Sequence, residues 1–148
     1  MNPSKFIILI LVIICLRSVK QMYEILQYSL RLCASGAKQQ WQYLKWSHHC
    51  DVLKSKLNTG YYLINFLQKV TNSYVTRSLY FTCFHSHLKY GITLWGGDPH
   101  SVEIFKLQKK VIRAICKVDQ LTSCRHLFKK LGILPLPCLF ISEMVCCH

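Results

Sequence analysis

The spacing of apolar residues changes along the chain, and the changes mark its elements. Residues 6–16 read FIILILVIICL, an apolar run without polar interruption between Lys5 and Arg17. Met22–Leu32 has helical character. The small residues Cys33-Ala34-Ser35-Gly36-Ala37 then break the chain and place a domain boundary near Gly36–Gln40. From Trp46 to about Val70, the residues Val52, Leu53, Leu57, Tyr61, Ile64, Phe66 and Leu67 recur mostly at three and four, with Lys54, Lys56 and Lys69 between them. That period predicts an amphipathic helix, weakened at Gly60.

Thr71-Asn72-Ser73 offers N-cap residues for a second helix over Tyr74–Trp95. This stretch is apolar nearly all round, with Ser78, Thr82, His85 and Lys89 as its narrow polar strip, so it should be central to the core. Gly96-Gly97-Asp98-Pro99 stops it, because glycine accepts a left-handed termination and proline can begin the next helix but not continue the last. The next helix is expected from Pro99 to about Val118. Val102, Phe105, Ile112 and Cys116 line one side, flanked by Ile104, Leu107, Val111 and Ile115. A short helix capped by Ser123 or Thr122 ends at Gly132, and the extended Ile133-Leu134-Pro135-Leu136-Pro137 leads to a last apolar helix. The pattern as a whole predicts an all-α fold: a small bundle of four to six helices over 41–148, preceded by an apolar segment over 1–40.

Charge sharpens this picture. The chain of 148 residues carries 19 Lys and Arg against 6 Asp and Glu, a net +13, which draws polyanions such as nucleic acid or anionic lipid. Most of the excess lies in 41–132, where 14 basic and 4 acidic side chains give +10. On the helix after Pro99, Lys106, Lys110, Arg113 and Lys117 step by four, three and four residues along one ridge. Lys109 widens it, and Glu103 is its one compensating acid. Like charges at this spacing repel one another until a partner neutralises them. These five cations are the candidate nucleic-acid contacts, reading phosphate rather than base. A solvated face is the plainer account of such a row, and only the regional charge brings the two readings level.

The six acids are scattered, with no two adjacent and no Asp-Asp anywhere, which leaves little for carboxylate-based or two-metal catalysis. Of the nine cysteines only Cys146 and Cys147 lie close, no CxxC occurs, and none of the His/Cys groups (His48-His49-Cys50; Cys83, His85, His87; Cys146-Cys147-His148) has zinc-site spacing. No metal or cofactor is therefore expected, and the cysteines read as reduced, buried small hydrophobes. Trp46 and Trp95 read as core rather than as base-stacking platforms. The run at 6–16 has the outline of a signal-peptide core, yet it is shorter than the roughly 20 apolar residues of a spanning helix. The small-residue site at Ala34-Ser35-Gly36 is too distant for cleavage. A buried helix or strand is favoured there, and a membrane anchor is the alternative.

Taken in order, several stretches resemble the Jockey-like family of non-LTR retrotransposon reverse transcriptases, in the thumb and C-terminal region beyond the palm. Leu44, Trp46 and His49 match a Leu-x-Trp-x-x-His element, continued by Leu53, Lys56, Leu57 and Tyr62-Leu63. YFTCFHSHLKYG at Tyr80–Gly91, followed by Leu94-Trp95-Gly96, is the most specific match. Leu107-Gln108-Lys109-Lys110, Ile112-Arg113-Ala114-Ile115 and SCRHLFKKLGILPLPCLFI at Ser123–Ile141 complete it. The family's Phe-Leu-Gly element is missing, and residues 1–40 match nothing in the palm. The resemblance implies a fragment of an RNA-directed DNA polymerase without its catalytic Asp-Asp turn, hence no enzyme. It would have at most sequence-independent affinity for an RNA or DNA backbone and an intracellular location. Its partners would be that backbone, a membrane if 6–16 is an anchor, or a second copy through apolar faces that the missing palm would cover.

Overall fold

A computed structural model describes residues 46–146 and, apart from these, Ile13. The expectations for the run at 6–16 and for Met22–Leu32 lie outside the described residues. One compact unit begins at Ser47. It is built from α1 (Ser47–Leu67), α2 (Ser73–Leu79), a π-helical segment (Tyr80–His85), α3 (Ser86–Lys89), α4 (Ile92–Trp95), α5 (Ser101–Cys116), α6 (Arg125–Leu131) and α7 (Leu136–Cys146). There is no strand among the described residues. Since α2, the π segment and α3 run on as one rod, the architecture is the small all-α bundle of six helical bodies that the periodicity predicts.

The longest packing seam joins α1 to α5, with α1 also against the π segment and α2, α6 on α5, and α4 on α7. Leu53, Leu57 and Ile64 of α1 meet Tyr80, Phe84, Leu88, Ile104, Val111 and Ile112, each at most 1% exposed. Burying one such side chain contributes about 1.5–3 kcal/mol, so this seam is the main source of stability. α1 runs unbroken through Gly60. The glycine sits buried within the helix, where a Cβ would stand 3.7 Å from the Cys83 carbonyl and the Phe84 ring, an ordinary van der Waals contact. Phe66, expected in the core, is 66% exposed.

The central rod differs from a uniform helix in two ways. Its buried residues Thr76, Tyr80, Phe84 and Leu88, and beside them Leu79, Cys83 and His87, repeat every fourth position. An α-helix turns about 100° per residue, so a strict four-residue repeat would drift around the axis. The wider π turn at Tyr80–His85 absorbs that drift and keeps both rows facing α1 and α5. The rod also stops before Trp95. Tyr90 is extended and Gly91 is left-handed at φ 63°, which restarts the chain as α4. There Trp95 is 1% exposed and its indole N–H donates to the Tyr90 carbonyl at 3.1 Å. Trp95 is therefore core, as its position suggests.

Local chemistry explains the helix ends. Asn72 stands extended before α2 without a side-chain cap bond, while Thr71 Oγ1 donates to the Leu67 carbonyl at the end of α1. The turn at Gly96–Pro99 forms, but without the expected left-handed glycine: Gly96 is right-handed at φ −63°, and among the described glycines only Gly91 and Gly132 have positive φ. Asp98 Oδ1 accepts from the His100 backbone N–H at 2.8 Å and lies 2.7 Å from His100 Nδ1, and these contacts hold the Asp98 carboxyl below its ordinary pKa. At Gly96 a Cβ would stand 2.5 Å from both the Ile92 carbonyl and the Phe140 ring, so glycine is required where α4 meets α7. α6 begins after Cys124 with no side-chain cap, contrary to the expected Ser123 or Thr122, and ends at left-handed Gly132 (φ 63°) as expected. Arg77 Nε reaches the Leu131 carbonyl at 2.7 Å while the guanidinium covers the Phe81 ring, a cation at a helix C-terminus where the dipole favours it.

Candidate nucleic-acid interface

The basic row lies on α5, whose inner side is fixed by burial. Ile104, Leu107, Gln108, Val111, Ile112 and Ile115 face the core. Val102, expected to line that side, is 54% exposed, and Cys116 is only half-buried. Ile104, Leu107, Val111 and Ile115, expected to flank the apolar side, are instead its centre, together with Gln108 and Ile112. Gln108 is wholly buried. Its Nε2 donates to Tyr80 Oη and to the Leu134 carbonyl, both at 3.0 Å, and its Oε1 accepts from the Leu136 N–H at 2.9 Å. The Leu136 donor is one of the N–H groups that the start of a helix leaves without an intrahelical partner, so Gln108 ties α5 to the central rod and caps α7 at once. Burial pushes the Tyr80 phenol up to about 12, which keeps it a neutral acceptor.

On the outer side the structure divides the five predicted cations. Lys106 Nζ lies 2.7 Å from Glu103 Oε1, and Glu103 Oε2 is 3.5 Å from Lys54 Nζ on α1. The hydrogen bond from Lys106 is the chief cause that holds the Glu103 carboxyl below its ordinary pKa. Lys109 Nζ sits 4.2 Å above the Phe105 ring, itself stacked on Phe128. The positive charge at this end of the row is thus partly answered within the fold.

The other end is open. Lys110, Arg113 and Lys117 converge on a groove of about 360 Å³ between the C-terminal halves of α1 and α5, with Tyr61, Asn65, Gln68 and Gln120 completing its polar lining. Arg113 Nε donates to the Thr122 carbonyl at 2.9 Å, which fixes the guanidinium plane and leaves its terminal amines available. Lys110 and Lys117 are exposed, and their side chains make no hydrogen bond or ion pair among the described residues. Lys117 is not on the helix as predicted. It is the C-cap at φ 54°, the one non-glycine residue with positive φ among those described. Its left-handed turn lets the Lys117 and Val118 N–H groups reach the Ala114 and Arg113 carbonyls, and it leaves Lys117 at the groove mouth. Asp119, two residues after Lys117, turns its carboxylate onto the Gln120 backbone N–H at 2.6 Å.

The sequence places Tyr61 on the apolar side of α1 and singles out neither Asn65 nor Gln68, although their spacing of four and three already aligns the three as a stripe along the end of α1 and the residue that follows it. What the sequence did not show is that this stripe faces the basic end of α5. Among the described residues no group of three or more His, Cys, Asp or Glu is placed to hold a metal ion, and no helix is long and apolar enough to cross a membrane. The described cysteines are free thiols. Burial pushes the Cys50 thiol up to about 11 and that of Cys116 in the same direction, away from the thiolate a nucleophile requires. No protein-family model matches the chain, and no curated protein or solved structure matches it.

Proposed function

We propose that this chain is a non-catalytic remnant of the thumb and C-terminal region of a non-LTR retrotransposon reverse transcriptase, whose surviving capacity is sequence-independent binding of a nucleic-acid backbone. The ordered matches from Leu44 to Ile141 support the origin, and the missing Asp-Asp pair supports the loss of polymerase chemistry. The observation that carries the binding is the unanswered charge of Lys110, Arg113 and Lys117 at one end of α5, beside a groove with no acid in its lining. Cations that no internal partner neutralises gain most from phosphates, whose condensed counterions are released on contact.

The test is a salt series on the full chain with single-stranded and duplex oligonucleotides of unrelated sequence. Lys106→Gln, Lys110→Gln and Lys117→Asn together remove charge while sparing Arg113, which holds Thr122, and asparagine tolerates the left-handed cap. Affinity should fall alike for all sequences, and the slope of log affinity on log salt should flatten by roughly one unit per lost phosphate contact. An unchanged slope would remove α5 from the interface.

A further inference from the structure

α7 inverts the usual order of a surface helix. Its exposed positions are Pro137, Cys138, Ile141, Met144, Val145 and Cys146, an apolar stripe at helical spacing with no polar residue in it. Its two polar residues, Ser142 and Glu143, are half-buried, and Glu143 lies 3.3 Å from Lys89 of α3. On the other side Leu136 and Leu139 are buried in the core. A helix that is apolar all round is normally covered all round, yet Ile141 is 61% and Val145 70% exposed.

The stripe borders a groove of about 310 Å³, lined by Val102 and Phe105 of α5 and by Pro137, Phe140 and Ile141 of α7. Stripe and groove meet at Pro137 and Ile141, and the spacing is symmetric: Pro137 and Val145 stand four residues, about 6 Å, to either side of Ile141. A two-fold axis at Ile141 therefore sets Val145 of one helix over Pro137 and the groove of an antiparallel mate, and does so twice, as in an isologous dimer. The stripe with Val102 exposes on the order of 500 Å² per copy, so a pair buries about 1,000 Å², the lower bound of a specific interface.

Charge selects the occupant. Copies of a chain at +13 repel one another except through a face without net charge. α7 has no Lys or Arg, and its one acid is answered by Lys89. On α5, Glu103 and Lys106, which adjoin Val102 and Phe105 in sequence, answer each other. An acidic partner finds no free cation on α7, and a lipid-bound helix needs the basic side that α7 lacks. We propose that this face is the contact between two copies of the chain, with their α7 helices antiparallel about Ile141 and Val145 of each in the groove of the other. The contact stands apart from the backbone-binding reading, and either can fail alone.

The full chain, kept reduced so that its thiols do not cross-link, is sedimented to equilibrium over a series of micromolar concentrations at low and high salt. A reversible monomer–dimer equilibrium is expected. It should tighten with salt, which screens the repulsion between copies, whereas nucleic-acid binding weakens. Ile141→Lys should weaken dimerisation by at least about tenfold, the loss of one buried aliphatic side chain. Val145→Lys should act alike, and both sites are exposed, so circular dichroism should show the fold retained. Tyr74→Lys, at an exposed residue of α2, should leave the equilibrium in place. A chain that stays monomeric overturns the assignment, as does association that weakens with salt, survives both α7 variants or falls equally with Tyr74→Lys. A monomer that instead binds neutral phosphatidylcholine vesicles, and loses them in Ile141→Lys, gives the face to lipid.

Discussion

The two faces of α5 treat polar groups in opposite ways. On the inner face a single polar side chain, Gln108, lies wholly buried, and its donors and acceptor are matched to Tyr80, Leu134 and Leu136. On the outer face, charge is partly answered at Lys106 and Lys109 and left open at Lys110 and Lys117. An internal polar group that is fully matched specifies the fold, because any other arrangement leaves buried groups unsatisfied. An external row that is only partly matched adds little to stability, since exposed ion pairs contribute about 0–1 kcal/mol, and its surplus remains for a partner.

The largest expected effect lies on the inner face. Gln108→Met keeps the volume and removes every polar atom, so the Tyr80 hydroxyl, the Leu134 carbonyl and the Leu136 N–H lose their partner together. Stability measured by urea unfolding should fall by about 3 kcal/mol or more, at the upper end of the cost of unsatisfied buried groups. A loss no larger than that of an exposed substitution would mean that the clamp does not organise the core.

A smaller effect should follow from charging the interior. His87 is 3% exposed, and burial, with Lys56 of α1 adding to it, lowers its pKa below 6.5. Burial likewise lowers His49, with Lys56 and His48 contributing, and His85, where Lys89 adds and Glu143 opposes. The unfolded chain therefore binds these protons more readily than the folded one. Their contribution to stability is complete above pH 6.5 and is lost as pH falls from there through the lowered folded values. The urea midpoint should decline between about pH 7 and pH 5, and a midpoint constant across that window would show that charge enters this core without cost.

The smallest change sharpens the outer face alone. Glu103→Gln releases Lys106 and Lys54 from their shared acid. Affinity for a nucleic-acid strand should rise, and the salt slope should steepen by up to roughly one unit, while the melting temperature barely moves. If affinity stays the same, the compensated end of the row makes no phosphate contact, and the interface is confined to the groove.

Much of the fold was legible because helix formation here follows local rules. The three- and four-residue spacing from Val52 to Leu67, the Gly96–Pro99 stop and the Gly132 terminus all rest on interactions within a few residues. The breaks at Gly91 and Lys117 were less legible. Each is a left-handed residue within or just after a run that local propensity would continue as helix, and packing selects it: Trp95 must turn into the core, and Arg113 must meet Thr122. The site was half legible. The cationic row on α5 follows from sequence spacing, but its division into an answered and an open end depends on Glu103, Phe105 and Lys54 in space.

What the sequence by itself determined is the helical class, the order of the elements, the concentration of positive charge on the helix after Pro99 and the lack of an Asp-Asp pair. Periodicity and composition act through neighbours along the chain and need no tertiary information. Only the tertiary structure decided that Gln108 is a core clamp rather than a surface amide, that the four-residue repeat from Thr76 to Leu88 is accommodated by a π turn, and that Tyr61, Asn65 and Gln68 face Lys110, Arg113 and Lys117. Those facts depend on which helix packs against which. That choice is set by burial and hydrogen-bond matching among residues far apart in sequence, where no local pattern reaches.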